Sequence, residues 1–64
     1  MATVNGRAEN IAGITLGEYL AKAGYLPERV VVERNLEIVP RSMLGSTVIR
    51  DGDSIEILQF VGGG

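Results

Sequence analysis

Apolar and polar positions along the chain alternate in short stretches, interrupted once by a helical period. Ala2-Thr3-Val4 and Arg7-Ala8-Glu9 flank Asn5-Gly6. Asn-Gly suits a two-residue type I′ turn, because both central positions need positive φ, so this stretch predicts a hairpin. Leu16, Tyr19, Leu20 and Ala23 then recur at i, i+3, i+4 and i+7, one apolar stripe of a helix facing a core. Thr15-Leu16-Gly17-Glu18 has the spacing of a capping box: the Thr15 hydroxyl accepts from the third helical N–H, and Glu18 reaches back to the cap's own N–H. Ile14 and Tyr19 stand where a hydrophobic staple would join them. Gly24 supplies a left-handed C-terminal residue, and Pro27 prevents the helix from resuming nearby.

Beyond the helix the pattern returns to strands. Val30-Val31-Val32-Glu33 is β-branched, Arg34-Asn35 reads as a turn, and Leu36-Glu37-Ile38-Val39 reads as a short strand ending before Pro40. Pro40 to Gly45, proline first and glycine last, predicts a single helical turn. Thr47-Val48-Ile49, a turn at Arg50-Asp51-Gly52-Asp53, and Ser54 to Phe60 read as a closing pair of strands. The order β-β-α-β-β-β places the chain in the α+β class, with one helix covering one face of a sheet and the other face left partly open. If Ile55 and Ile57 meet the helix, Leu58 and Phe60 point the other way, into solvent, a partner or covering loops. Residues 1–60 are expected to form a single domain, with residues 61–64 as a flexible tail.

That tail, Val61-Gly62-Gly63-Gly64, follows directly on the last strand pattern. Glycines bury no side chain and are the most expensive residues to order, so this stretch adds nothing to a core. Fully extended, four residues reach roughly 13–14 Å, enough to carry a carboxylate from the domain surface into a neighbour's active site. The structural alternative is a frayed terminus.

Composition narrows the chemistry. The 64 residues contain no cysteine, histidine or tryptophan. Disulfides and thiolate metal ligation are therefore unavailable, and so is the side chain most used for acid–base work near neutral pH. Ser42, Ser46 and Ser54 have no imidazole to activate them. Asp51, Asp53 and Glu56 lie close in sequence, but Asp51-Gly52-Asp53 has the chemistry of a tight turn and lacks the continuing ligands of a calcium loop. No metal site is expected, and the chain does not read as an enzyme. Six Lys+Arg against eight Asp+Glu give a net charge of −2, which argues against nucleic acid or an anionic membrane as partner. No secretory leader pattern stands at the N-terminus, and no aliphatic run is long enough to span a bilayer, so the expectation is a cytoplasmic protein, monomeric when free.

The motifs taken together resemble the ubiquitin-like β-grasp sulfur-carrier family, in its thiamin-biosynthesis (ThiS) branch. The resemblance runs through Val4-Asn5-Gly6, Thr15 to Leu20, the stretch Val30 to Ser42 with its Ile38-Val39-Pro40-Arg41 segment, and Asp51 to Gly64. It implies a mixed sheet with the first and last strands adjacent and parallel at its centre. It also implies that Gly64 is adenylated by an activating (ThiF-like) enzyme, using ATP and Mg²⁺ that this chain does not itself bind. Sulfur from a donor such as a cysteine desulfurase then converts Gly64 to a thiocarboxylate, which thiazole synthase consumes. Under this resemblance Gly64 carries the reacting atom, and Gly62 and Gly63 let the tail thread a narrow channel. Independently of the resemblance, Leu58 and Phe60, two large apolar side chains on the open face just before the tail, suggest a surface that docks the domain on a partner. A Gly-Gly end is shared with ubiquitin-like protein modifiers and with the small subunit of molybdopterin synthase, so both remain alternatives.

Overall fold

Asn5 and Gly6 take φ of 49° and 84°, the pair of left-handed residues that a type I′ turn requires. They join β1 (Ala2–Val4) to β2 (Arg7–Glu9) in register Ala2 to Glu9 and Val4 to Arg7. The computed structural model describes residues 1–60. Beyond the hairpin come α1 (Leu16–Ala23), β3 (Val30–Arg34), β4 (Glu37–Ile38) and β5 (Ser54–Gln59), with single 3₁₀ turns at Pro27–Arg29 and Arg41–Met43. The strands form one five-stranded sheet in the order β2-β1-β5-β3-β4. β1 and β5 are parallel and every other pair is antiparallel, so the last strand fills the centre beside the first. This is the mixed β-grasp arrangement that the sequence resemblance implies.

Asn5 has a second task besides the turn. Its side-chain amide pairs with both backbone groups of Ile57, accepting from the N–H at 2.8 Å and donating to the carbonyl at 3.4 Å. The amide stands in for one more peptide unit of β1 just where the turn removes the chain from the ladder, and so keeps the middle of β5 hydrogen-bonded.

α1 begins as the sequence predicts. The Glu18 N–H donates to the Thr15 hydroxyl at 3.1 Å, and the Thr15 N–H donates to the Glu18 carboxylate at 3.2 Å. The two remaining free N–H groups of the first turn are met from a distant segment: Leu16 donates to the Thr47 carbonyl and Gly17 to the Leu44 carbonyl, each at 2.9 Å. The approach is close: a Cβ at Gly17 would lie 3.4 Å from both the Leu44 oxygen and the Gly45 Cα, at the near limit of ordinary van der Waals contact. At the other end Gly24 has φ 85°, its N–H reaches the Ala21 carbonyl, and the Tyr25 N–H reaches Leu20, a Schellman closure.

The core is a single cluster between α1 and the sheet. Leu16, Leu20, Ile49 and Ile55 are fully enclosed, with Val4, Val32 and Ile57 beside them. Ala23, expected on the buried stripe, is exposed: the stripe is covered only as far as Leu20, and Ala23 instead borders a groove with Tyr19 and Lys22. The expected strand over Thr47–Ile49 does not form. That stretch makes one isolated bridge, Thr15 to Val48, and Ile49 exchanges hydrogen bonds with Gly13 and Ile14. Its backbone is committed to the approach and first turn of α1, so it cannot join the sheet.

The turn after β3 lies one residue later than expected, at Asn35-Leu36, and Leu36 therefore leaves the strand. Both residues have positive φ, 53° and 70°. The Asn35 N–H donates to the Ser54 carbonyl and its Oδ1 accepts from the Ser54 N–H, which fixes Asn35 as the first turn residue and forces Leu36 into the second. Leucine is poorly suited to φ > 0, and its side chain is 90% exposed. Leu36→Gly is therefore expected to stabilise the domain by about 1 kcal/mol, since it removes left-handed strain and loses no packing. In the same denaturant titrations, Thr15→Ala should cost about 1 kcal/mol and Thr15→Gly only a few tenths.

Candidate functional site: the open sheet face and the root of the glycine tail

β5 is the central strand, and its alternation divides the molecule in two. Ile55 and Ile57 enter the core beneath α1, whereas Glu56 and Leu58 point to the opposite, uncovered face. Leu58 is 58% exposed and Phe60 is 54% exposed, so no loop covers them. Phe60 lies one residue past β5, but its N–H still donates to the Arg29 carbonyl at 2.9 Å, which holds the chain at the edge of the sheet up to that point. Gly62, Gly63 and Gly64, with Val61, lie outside the described residues.

Register adds two members that the sequence pattern did not single out. Val31 is directly opposite Leu58, and Ile38, 66% exposed, is directly opposite Glu33 on the same face. Three consecutive valines carry no internal sign of which one faces outward. Only the pairing of Val32 with the buried Ile57 shows that Val31 is the outward one. Val31, Ile38, Leu58 and Phe60 thus give the open face an apolar band.

The other end of β5 is anchored by a polar cluster. Asp53 is only 6% exposed. Its Oδ2 accepts from the Arg34 Nε at 2.8 Å and the Arg50 N–H at 2.9 Å, and its Oδ1 accepts from the Asn35 Nδ2 at 3.0 Å. The sequence marks this residue as part of a turn, and the Asp53 N–H does close that turn on the Arg50 carbonyl. Its side chain, however, ties the β3–β4 turn to the start of β5, a contact that adjacent residues cannot reveal. Burial pushes the Asp53 carboxyl up, but hydrogen bonds from Arg34, Arg50 and Asn35 and the Arg34 charge outweigh it and hold the group below its ordinary value. Under α1, the Tyr19 hydroxyl donates to the Glu9 carboxylate at 3.2 and 3.3 Å. Its pKa is raised by burial and then by the Glu9 charge and hydrogen bond, so it remains a donor at neutral pH.

Among the described residues no group of three histidine, cysteine, aspartate or glutamate side chains could hold a metal ion, and no helix is long and apolar enough to cross a membrane. The described residues offer an uncovered, partly apolar sheet face.

The sequence matches the ThiS family over residues 2–64. The chain belongs to the ThiS family. Its fold agrees: a crystal structure of a thiamine biosynthesis protein (ThiS) from Geobacter metallireducens superposes with a TM-score of 0.77 at 34% identity, covering 98% of this chain and 97% of that one. The thiazole synthase of Paramagnetospirillum magneticum is 44% identical over 62 residues, which is 95% of this chain. The chain spans 19% of that protein's length. An uncharacterized protein, ycf40, of Porphyra purpurea is 34% identical over 62 residues and 87% of its own length.

The Asp53 cluster has a measurable pH signature. Its folded-state pKa lies below the unfolded one, so its stabilisation is complete above about pH 4 and is lost as pH falls through the folded value. Asp53→Asn cannot accept from Arg34, Arg50 and Asn35 together and should cost about 1–3 kcal/mol at neutral pH. The difference between wild type and variant, followed by urea unfolding at stepped pH, should narrow below about pH 4.

Proposed function

We propose that this protein is a sulfur carrier for thiazole formation in thiamin biosynthesis, with the Gly64 carboxylate as the attachment point. The observation that carries the reading is a family match running through the last residue, joined to a central strand that leads straight into three glycines. A terminal carboxylate is an anion at neutral pH and resists nucleophiles. Transfer of AMP from ATP, with loss of pyrophosphate at an activating enzyme, makes Gly64 an acyl-adenylate. A persulfide sulfur displaces AMP, and reduction of the resulting acyl disulfide by a thiol frees the thiocarboxylate. The ATP, Mg²⁺ and cysteine chemistry belong to partner enzymes, and this chain is their co-substrate. Thiazole synthase is the proposed acceptor, a choice supported by the thiazole synthases that contain a stretch resembling nearly the whole of this chain.

Incubation with a cognate activating enzyme, ATP, Mg²⁺ and a cysteine desulfurase with cysteine should replace one oxygen of the C-terminal peptide by sulfur, read by intact and peptide mass spectrometry. Deleting Gly64, or adding a residue after it, should abolish the product, because the carboxylate is displaced by about 3.3–3.6 Å. Lysine-linked conjugates in place of the thiocarboxylate would identify a protein modifier, and absence of both products would refute the carrier reading.

Ordering three glycines costs roughly 1–2 kcal/mol per residue, so the domain face must supply the affinity that the tail lacks. Leu58 and Phe60 are proposed to contribute it. Leu58→Glu or Phe60→Glu should weaken binding to the activating enzyme and thiazole synthase about tenfold or more, with circular dichroism unchanged. Unchanged affinity in folded variants would remove these residues from the interface.

A further inference from the structure

The open face carries an arrangement that does not serve the fold. In the β3–β5 register Glu33 is directly opposite Glu56. Both alternate with core residues and so point away from α1, Glu33 half-buried and Glu56 exposed. Directly opposed side chains have Cβ atoms about 4.5–5.5 Å apart, and like charges at that spacing destabilise a sheet. Relief could come from a neighbouring cation, but none of the strand positions on this face is lysine or arginine. Arg34, the nearest cation along β3, is on the helix side and engaged by Asp53. Neither glutamate takes part in an ion pair among the described residues.

The pair is bordered by apolar side chains. Ile38 is opposite Glu33 on β4, Leu58 follows Glu56 by one alternation, and Val31 is opposite Leu58. A cation docked against this face would meet two carboxylates at once, at the edge of an apolar band whose burial strengthens the contact. We infer that Glu33 and Glu56 form one anionic recognition point for an arginine or lysine that projects from an apolar patch on the partner protein, with Ile38, Val31 and Leu58 packing around it. The like-charge pair is a local destabilisation retained for docking, and it sets the partner's register on the sheet. Taking thiazole synthase as the partner rests on the sulfur-carrier reading. The complementary surface is defined by this face alone.

The test uses the full chain and intact thiazole synthase, with Glu33→Gln, Glu56→Gln and the control Glu28→Gln, which makes the same charge change on an exposed 3₁₀ turn outside the sheet. Calorimetry at about 50 and 300 mM salt should show each face variant binding about five- to tenfold more weakly at low salt, with a shallower salt dependence than wild type. Glu28→Gln should stay within about twofold of wild type. Each face variant should also melt at or above the wild-type temperature, by up to about 2–4 °C, because the repulsion is gone. Equal losses in all three variants would reduce the effect to net charge and overturn the proposal, as would wild-type affinity in both face variants or a lowered melting temperature in each. Wild type that acquires the thiocarboxylate yet does not bind thiazole synthase would overturn the docking proposal and leave the carrier reading standing. Selective loss of binding in the face variants, with no thiocarboxylate formed by wild type, would do the reverse.

Discussion

The parallel pairing of β1 with β5 is the contact on which the rest of the molecule depends. It joins the first strand of the domain to the last, through Thr3 to Ser54 and Val4 to Ile55, with the Thr3 and Asn5 N–H groups donating to the Asp53 and Ile55 carbonyls. A parallel pair needs a long crossover, and here nearly the whole chain is that crossover. Everything between β1 and β5 must return the chain to the same end of the sheet. α1, the β3–β4 hairpin and the Leu44–Ile49 segment can be understood as the means of doing so. Because β5 is central, it has hydrogen-bonded neighbours on both sides, β1 along its start and β3 along its length.

Register on β5 is held at two points. Asp53 and Asn35 fasten its start to the β3–β4 turn, and the Asn5 amide pairs with Ile57 near its middle. A slip of one residue would send Ile55 and Ile57 into solvent and press Glu56 and Leu58 under the helix. Burial of one such isoleucine is worth about 1.5–3 kcal/mol, so the slipped register is strongly disfavoured. The same register delivers Leu58 to the open face. Positive φ at Leu36 follows from this fastening: the strain is concentrated in a turn that Asn35 holds against Ser54.

The two faces of the sheet differ in character. The helix side holds one apolar cluster, with a satisfied partner for every buried side-chain polar atom among the described residues. The open side keeps exposed leucine, isoleucine and phenylalanine beside an opposed pair of carboxylates, features that cost the isolated domain stability. The domain contains no histidine or cysteine.

Much of this was legible in the sequence, because the signals involved are local. The Asn5-Gly6 hairpin, the Thr15–Glu18 capping box, the Gly24 stop, and the outward direction of Leu58 and Phe60 each follow from backbone φ requirements or periodicity within a few residues. The glycines at 62–64 were conspicuous because nothing in a core can use them. Other features depended on contacts between residues far apart in the chain. Thr47–Ile49 has strand composition, yet its carbonyls and amides are taken by α1 and the loop before it. Ala23 has helical spacing, yet the sheet does not reach it. The turn fell on Leu36 because Ser54, nearly twenty residues later, binds Asn35. Asp53 looked like a turn residue and became the anchor of the central strand, and Glu33 met Glu56 only when β3 paired with β5. Local geometry is written in neighbouring residues. Which strand lies beside which, and therefore which charges and apolar side chains share a face, is decided only when the ends of the chain come together.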